Sequence, residues 1–558
     1  MSRKLIFILL FLTIASFARA GYPVERVFVS TDREVYIAGD VVWCSLFCLD
    51  GEGHRSPYSA VSYLELISSE GTVAEAKIGL LDGRGAGSFR IPVTVPTGVY
   101  RLISYTSCEA NEEGTPWISG SRILTVFNTT STSRVKDGVA IVGEQSYKSE
   151  RKWAPANIGK VELNAPARVR KGADISLLVN NTGTASDITL SIYHEDDLAP
   201  APQDFSIGSF IKSLPGPVEP RIIGNRPLEY DGEIISARIK GSLTDTLDYS
   251  IATLSSAGSP SNLYIGVTDN DKVVFHTNNI YGDREIVCEV SRLDKKEGAI
   301  VFDEPFIYPS SGELPRLVLS KAQKESLSFR KKALRDEKKL LLDTLTTFLR
   351  HREDLLLESI PCKRYHLDYY TRFNSVQEVL VEIIPTLAIR RVKGKYRMMM
   401  DASDATESYT SRVSNLLVMM DGVVLSDLDY LMDFDAMLLE DIDLYQQAIV
   451  CGKASFSGVV NFITKKNYVT ALSFPSNVRV LDFKGVSYPV AYYGSVVKGD
   501  GGDTRQLLYW DPAMCMNPGE QKRVLAHAPD YAGRFRIVAE GLTEDGTPIH
   551  QEWDFEVE

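Results

Sequence analysis

The sequence predicts a mainly β protein built from several sandwiches, one α+β unit and a helical connector. Short runs of alternating apolar and polar residues bounded by Gly and Pro predict the sandwiches. A long segment without Gly or Pro predicts the connector, and a later segment that mixes strand and helix patterns predicts the α+β unit. With 558 residues, 44% of them apolar and 24% charged, the chain has the composition of a globular protein with several domains.

The first twenty residues have the pattern of a secretory leader. Arg3 and Lys4 precede an apolar run from Leu5 to Phe17, and Ala18-Arg19-Ala20 supplies the small residues of a cleavage site. We therefore expect residues 1–20 to be a signal peptide and the chain to be exported to the periplasm or the outer membrane. No later apolar run approaches the roughly 18 residues of a membrane helix, so no transmembrane segment is predicted in the mature chain.

The charge balance bears on the class of partner. The formal net charge of -12 argues against a nucleic-acid surface, which would need clustered excess Lys and Arg. We therefore predict no nucleic-acid partner.

Seven cysteines in an exported chain leave at least one thiol without an intramolecular partner. Cys44 and Cys48 share one predicted strand and lie about 13 Å apart when extended, which is too far for a bridge between them. Either could form a disulfide with Cys108 if the strand that ends there neighbours theirs. The alternative is that all three are small buried side chains.

Residues 22–130 have the pattern of one β-sandwich. The stretches "STDREVYIAGDVVW" and "GSFRIPVTVPTGVYRL" combine alternating strands with Gly and Pro turns. Both stretches resemble sequence patterns of the macroglobulin-type sandwich found in bacterial cell-envelope proteins. The resemblance implies a macroglobulin-like fold for this segment and says little about its function.

Two further β modules follow. Alternation of Ile175, Leu177 and Val179 predicts an Ig-like sandwich with a Pro- and Gly-rich connector over residues 156–228. Residues 229–310 resemble the transthyretin-like sandwich that accompanies carboxypeptidases as a regulatory domain, on the basis of Gly241 and "TDNDKVVFHT".

Leucines recur at helical spacing after residue 320, and no Gly or Pro interrupts the chain up to residue 360. We therefore predict a helical connector over residues 320–372. Its cations from Arg330 to Lys339 fit a solvated face better than a lipid-binding one.

Residues 374–468 combine a short helix, a hairpin around Gly394 and two apolar strands. The stretches "LLVMMDGVVLSD" and "SGVVNFITKK" resemble the plug domain of TonB-dependent outer-membrane receptors. The matching positions are Asp421, Gly422, Asp441, Ile442, Gly458 and Thr464. A receptor barrel needs about 22 strands of roughly 10 residues, whereas 92 residues follow Lys466, so we expect a plug-like domain without a barrel.

The last segment, residues 470–558, has the pattern of a C-terminal β-sandwich. Its stretches "RQLLYWDP" and "RIVAEGLTEDG" resemble the closing sandwich of the same macroglobulin-type envelope family. The positions that match this family are Arg505, Leu508, Tyr509, Trp510, Pro512, Ile537, Glu540, Gly541 and Gly546.

The sequence shows no pattern of a catalytic, cofactor or metal site. None of the seven His residues stands in a zinc or nucleophile motif, and the paired carboxylates Asp441 and Asp443 alternate with apolar residues as on a solvent face. "VGEQ" at residues 142–145 has Val where a thioester protein has Cys, and Cys451 lacks the Gln partner. We therefore expect no enzyme, no cofactor and no covalent protease trap.

The leading hypothesis is a non-enzymatic cell-envelope protein whose plug-like and sandwich modules bind a protein partner at the outer membrane. A TonB-dependent transporter or secretion channel, and so an outer-membrane β-barrel, is the candidate partner. One alternative is a glycan- or polymer-binding protein with exposed aromatics such as Trp43, Trp510 and Trp553. A second alternative is a macroglobulin-like protease-binding protein without a thioester.

Overall fold

The computed structural model describes most of the chain. The described residues are 22–130, 140–142, 157–195, 198, 205–216, 218–243, 250–258, 262–291, 293–320, 323–340, 346–347, 357, 360–401, 412–451, 454–466, 469, 474–493 and 502–558. The predicted signal peptide and residues 143–145 of "VGEQ" lie outside them. The chain divides into two compact units: unit one is Met1–Tyr230, Phe306–His351 and Val486–Glu558, and unit two is Asp231–Pro305 and Arg352–Gly485.

The predicted mainly β class is confirmed, with 51% strand and 10% helix. The strands are β1 Arg26–Thr31, β2 Val35–Ile37, β3 Val41–Leu49, β4 Val61–Ser68, β5 Gly71–Leu81, β6 Arg84–Arg90, β7 Gly98–Tyr105, β8 Arg122–Phe127, β9 Ala140–Val142, β10 Val161–Asn164, β11 Arg168–Val169, β12 Asp174–Asn181, β13 Ser186–Glu195, β14 Ile234–Lys240, β15 Ile251–Ser256, β16 Leu263–Asp269, β17 Lys272–His276, β18 Arg284–Val290, β19 Ala299–Phe302, β20 Val318–Ser320, β21 Thr346–Thr347, β22 Lys363–His366, β23 Leu387–Val392, β24 Lys395–Asp401, β25 Arg412–Val413, β26 Leu416–Met420, β27 Val423–Val424, β28 Leu439–Tyr445, β29 Ile449–Cys451, β30 Ala454–Phe456, β31 Gly458–Thr464, β32 Val478–Phe483, β33 Val486–Ser487, β34 Val490–Ala491, β35 Leu507–Met516, β36 Gln521–His527, β37 Gly533–Thr543 and β38 Pro548–Val557. The α-helices are α1 Ser107–Ala110, α2 Ile207–Lys212, α3 Lys324–Leu340, α4 Val376–Ile383 and α5 Asp429–Met432, and short 3₁₀ helices cover Pro116–Ile118, Leu367–Tyr369 and Ala436–Leu438.

The first sandwich of unit one has the strand order β1-β3-β6-β5-β4-β7-β8-β2, and β33 pairs with β5. Polar residues of "STDREVYIAGDVVW" fix the corner between β1 and β3. The buried carboxylate of Asp32 accepts hydrogen bonds from the hydroxyl of Tyr36 at 2.8 Å and the backbone N–H of Trp43 at 2.9 Å. Asp40 accepts one from the backbone N–H of Ile37 at 2.8 Å. The motif therefore has a structural role in this chain.

The second sandwich of unit one combines strands from two distant parts of the sequence. One sheet is β10-β12-β36 and the other is β11-β38-β37-β13-β35. The prediction of separate sandwiches at 156–228 and 470–558 is therefore wrong, because β13 pairs with β35 on one side and with β37 on the other. Ile188 and Leu190 of β13 and Phe535 and Ile537 of β37 belong to one buried core. Either segment alone would leave this apolar surface in water.

Among the described residues of the predicted helical connector, 324–340 form a helix, whereas 346–347 and 363–366 are strands. Helix α3 packs Leu327 and Leu334 against an apolar cluster with Val35, Ile37 and Phe127 of unit one. The predicted end of the connector at residue 372 is wrong, since Lys363–His366 is a strand of a sheet in unit two. Along the described residues, no helix has the length and apolar composition to cross a bilayer.

Unit two begins with a seven-stranded sheet of order β19-β14-β17-β16-β15-β18-β32. Strand β32 pairs with β18, so residues 478–483 belong here and the predicted start of a C-terminal sandwich at residue 470 is wrong. The transthyretin-like assignment of residues 229–310 stays a prediction.

The rest of unit two is a region of helices and strands, residues 363–466, which we call the helix-and-strand region. It has a five-stranded sheet of order β22-β28-β31-β26-β27, a three-stranded sheet β23-β24-β25 and the hairpin β29-β30. Ser375 caps α4, and the buried face of that helix carries Val376, Val379, Leu380 and Ile383. These side chains pack with the buried residues of β26, β28 and β31 in one core.

Candidate binding site on the helix-and-strand region

Asp421 and Gly422 form the turn between β26 and β27, and both have positive φ angles, 48° and 81°. The residue Asp421 is 3% exposed. It accepts hydrogen bonds of 2.7 Å from the backbone N–H and from the hydroxyl of Thr464 at the end of β31. Three of the predicted plug-motif residues thus lie together, and they join the ends of two parallel neighbouring strands.

Gly458 begins β31 where β24 and β28 approach it. A Cβ atom at this position would collide with the side chain of Met400 and lie 2.9 Å from the backbone oxygen of Tyr445. The absence of a side chain therefore allows the close packing here.

Asp441 and Asp443 do not line a solvent face, which corrects the interpretation from their alternation. They are 9% and 2% exposed. Asp441 lies 2.6 Å from Nδ1 of His366, and Asp443 accepts two hydrogen bonds of 2.7 Å from Arg364. Ile442, between them, points into the core and is fully buried.

The partners of these carboxylates come from β22, which lies within the predicted helical connector. The register of β22 and β28 places Arg364 opposite Asp443 and His366 opposite Asp441. Tyr365 between them is buried, whereas Lys363 on the same face is exposed, so one residue of this four-residue strand is buried. A segment of four residues is too short for its alternation to distinguish a strand from a loop. For this reason Arg364 and His366 were not predicted as site residues.

Strand β22 is the edge of the five-stranded sheet. Within the described part of the chain it pairs on one side only, with β28. Directly after it, Tyr369 is 84% exposed and Tyr370 is 44% exposed. The ring of Tyr369 lies 4.6 Å from the ring of His366, measured between centroids. This edge, together with Tyr369 and Tyr370, is the candidate binding site, which we call the β22 edge.

The polar groups at the β22 edge do not form a nucleophile–base pair. Cys362 and His366 are four residues apart on extended chain, which corresponds to about 13 Å and exceeds hydrogen-bond reach. Burial, followed by the charge of Asp443, raises the pKa of Cys362, so its thiolate is disfavoured. Over the described ranges, no group of three or more His, Cys, Asp or Glu side chains could hold a metal ion.

The cysteines of unit one are free thiols in the structure, and Cys44, Cys48 and Cys108 are all buried. Their predicted disulfide required β3 to neighbour the strand before Cys108. That strand is β7, which pairs with β4 and β8, whereas β3 pairs with β1 and β6. The condition on neighbouring strands is not met, although Cys48 and Cys108 both lie near the side chain of Glu25.

Two of the three tryptophans proposed as exposed glycan contacts are buried. Trp43 is 4% exposed and Trp510 is fully buried, and both belong to one cluster with Tyr492 and Leu507. Trp553 is half-buried. Arg505, from the same motif as Trp510, is 1% exposed and ion-paired with Asp503. Arg505 and Trp510 of this motif therefore have a structural role and offer no aromatic platform for a sugar.

No protein-family model and no curated protein matches the chain. Among solved structures, it is similar to the alpha-2-macroglobulin of Salmonella, with 10% identity over 97% of this chain and 40% of that chain and a TM-score of 0.24. It is also similar to trypsin-activated alpha-2-macroglobulin from Escherichia coli, with 9% identity, 97% and 42% coverage and a TM-score of 0.23. The adhesin InvE of Yersinia pseudotuberculosis matches with 13% identity, 50% and 58% coverage and a TM-score of 0.13. The chain spans about two fifths of the length of these macroglobulin structures.

Proposed function

We propose that the chain is a noncatalytic protein of a Gram-negative cell envelope whose helix-and-strand region binds a protein partner at the β22 edge. The observation that carries the proposal is an edge strand that is joined to β28 by an arginine–carboxylate ion pair and a histidine–carboxylate contact. Its other edge pairs with no strand among the described residues. An edge strand presents backbone N–H and C=O groups that an extended segment of a partner can pair with. The leader sequence supports export.

The β22 edge is preorganised for this role. Arg364 and His366 are tied to Asp443 and Asp441 of the next strand, so little conformational entropy remains to be lost when a partner pairs with the strand. Tyr369 and Tyr370 add large, rigid contact area, and tyrosine is enriched at protein interfaces. The plug resemblance makes an outer-membrane β-barrel the partner class that we favour.

A photo-crosslinking amino acid at position 369 tests the proposal in cells. We expect a covalent adduct with an envelope protein, identified by mass spectrometry. The control position is Leu525 on β36 of unit one, which is 60% exposed and should give no such adduct. Equal adducts from both positions, or none from position 369, would contradict the proposal.

A double variant tests the contribution of the aromatic pair. Tyr369→Glu with Tyr370→Glu changes exposed side chains and should weaken partner binding about 30-fold or more, the effect of losing an interface hot spot. The affinity of the purified chain and of each variant for the identified partner is measured by titration, and Leu525→Glu is the matched control.

Fractionation of cells should place the chain in the periplasm or with the outer membrane.

A further inference from the structure

The hairpin β23–β24 combines five cations with an exposed apolar residue. Its two-residue turn, Lys393-Gly394, has φ angles of 50° and 80°, and the register joins Val392 to Lys395 at the turn and Leu387 to Met400 at the base. The base is buried, whereas every residue from Arg390 to Lys395 is exposed. The hairpin therefore emerges from the core of the helix-and-strand region as a finger.

The two faces of this finger differ. On one face, Leu387, Met398 and Met400 are buried and Arg391 lies over the ring of Tyr396 at 5.3 Å. On the other face, Arg390 lies directly opposite Arg397. Like charges at directly opposed positions of an antiparallel pair destabilise it, so the pairing of these arginines is not explained by stability of the hairpin.

Most cations of the finger have no carboxylate partner among the described residues. Lys395 is held by Asp427 at 2.7 Å. Among the residues that the structure describes, no carboxylate lies within ion-pair distance of Arg390, Lys393 or Arg397. Between residues 390 and 397 the sequence has no Asp or Glu. In a chain with a net charge of -12, this is a local concentration of positive charge open to solvent.

We propose that the β23–β24 finger is a contact site for an anionic phospholipid surface. Guanidinium groups bind phosphate through two parallel hydrogen bonds, and basic side chains near an anionic bilayer are attracted to it. Val392, 50% exposed beside the turn, is placed to enter the boundary between head groups and acyl chains.

A membrane surface fits the finger better than an acidic peptide does. A peptide needs a groove or a strand edge that fixes its backbone, whereas the finger is convex and carries cations on both faces. A lipid surface is planar, so the end of the finger can reach several phosphates at once. The proposal is independent of the β22 edge, because its test uses lipid vesicles without any protein partner.

Co-sedimentation of the purified chain with vesicles tests the proposal. We expect binding to vesicles of phosphatidylglycerol in phosphatidylcholine, no binding to phosphatidylcholine alone, and loss of binding at high salt. The double variant Arg390→Gln, Arg397→Gln should bind about 25-fold more weakly, since each basic residue near the surface contributes about fivefold. The matched control is Lys240→Gln, Lys272→Gln, two exposed cations of the seven-stranded sheet, which should change binding less than about twofold.

Further variants and competing anions distinguish a lipid surface from other anionic ligands. Val392→Ser should weaken vesicle binding without any change of charge. The Arg390/Arg397 variant should melt at the same temperature or higher, because a like-charge pair is removed, so a loss of binding cannot be ascribed to unfolding. Absence of vesicle binding, equal effects of both double variants, or displacement by inorganic phosphate at matched ionic strength would overturn the proposal. Binding to poly-glutamate but not to vesicles would identify an acidic protein as the ligand instead and would also overturn it.

Discussion

The guanidinium of Arg364 donates one hydrogen bond of 2.7 Å to each carboxylate oxygen of Asp443. The Asp443 side chain is 2% exposed, whereas 57% of the Arg364 side chain is exposed. The hydrogen bond with Asp443 is the main cause that raises the pKa of Arg364. This pair attaches the edge strand β22 to the sheet, and with it the candidate binding site.

Replacing Arg364 should detach β22. Arg364→Ala leaves a buried carboxylate without its donor, and we expect a loss of about 2 kcal/mol in the free energy of opening β22. Hydrogen exchange of residues 363–366, read by mass spectrometry, measures it. The double variant Arg364→Ala, Asp443→Ala should lose less than the sum of the two single variants. Additive losses would show that the two side chains do not interact.

The stability of the turn at Asp421 should depend on the carboxylate of this residue and on its positive φ angle. Asp421→Ala removes both acceptors of Thr464 and puts Ala at a positive φ, so we expect a destabilisation of about 3 kcal/mol. Asp421→Asn keeps one acceptor and tolerates the angle, so it should cost about half as much. Hydrogen exchange of β26 and β31 is the readout, because all five tryptophans lie outside unit two.

Gly458 should not tolerate a side chain. Gly458→Val places atoms against Met400 and the backbone of Tyr445, and overpacking of this kind costs about 1–3 kcal/mol. Adding Met400→Ala should recover part of the loss, since Met400 is one of the two groups in the way. The recovery is measured by thermal melting followed by circular dichroism, and no recovery would contradict the packing described here.

Unit one should lose stability at alkaline pH through His550. Burial would lower the pKa of His550, but contacts with Glu540 at 3.3 Å and Glu552 at 3.4 Å outweigh it and raise the pKa to about 9. Because the folded pKa lies above the unfolded value of about 6.5, this stabilisation is complete below about pH 6.5 and is lost as the pH rises through about 9.

A pH series tests this assignment. Urea unfolding followed by tryptophan fluorescence should show a falling midpoint between about pH 6.5 and 9 in the parent chain. In His550→Gln the urea midpoint should decrease less over this pH range. His54→Gln, whose side chain is 60% exposed beside Asp50, is the control and should leave the decrease of the parent chain unchanged.

Local patterns predicted the parts of the fold that are encoded within a few residues. The alternation in residues 22–130, the leucine spacing of α3 and the Asp421-Gly422 turn each depend on neighbours in sequence. The site residues Asp441 and Asp443 were located correctly on a strand and assigned to the wrong face, because their burial depends on Arg364 and His366. Sequence periodicity carries no information on which strand lies beside which.

The larger errors have the same cause. The strands of the second sandwich come from residues 161–195 and 507–557, and β32, which begins at residue 478, joins a sheet whose other strands end at or before residue 302. Hydrophobic alternation indicates that a strand needs a covering layer. It does not say whether that layer comes from the next strand or from a distant one, so the domain boundaries at residues 228, 372 and 470 could not be placed from the sequence.

The pairing of β13 with β35 also sets an order of events during synthesis. Thr189 donates a hydrogen bond to the carbonyl of Pro512, which is 323 residues further along the chain. At a ribosomal rate of about 5–20 residues per second, β13 waits on the order of 15 to 60 seconds with both edges unoccupied. A chaperone that shields this strand while the remainder is being made should therefore raise the yield of native protein more than one acting on the first sandwich.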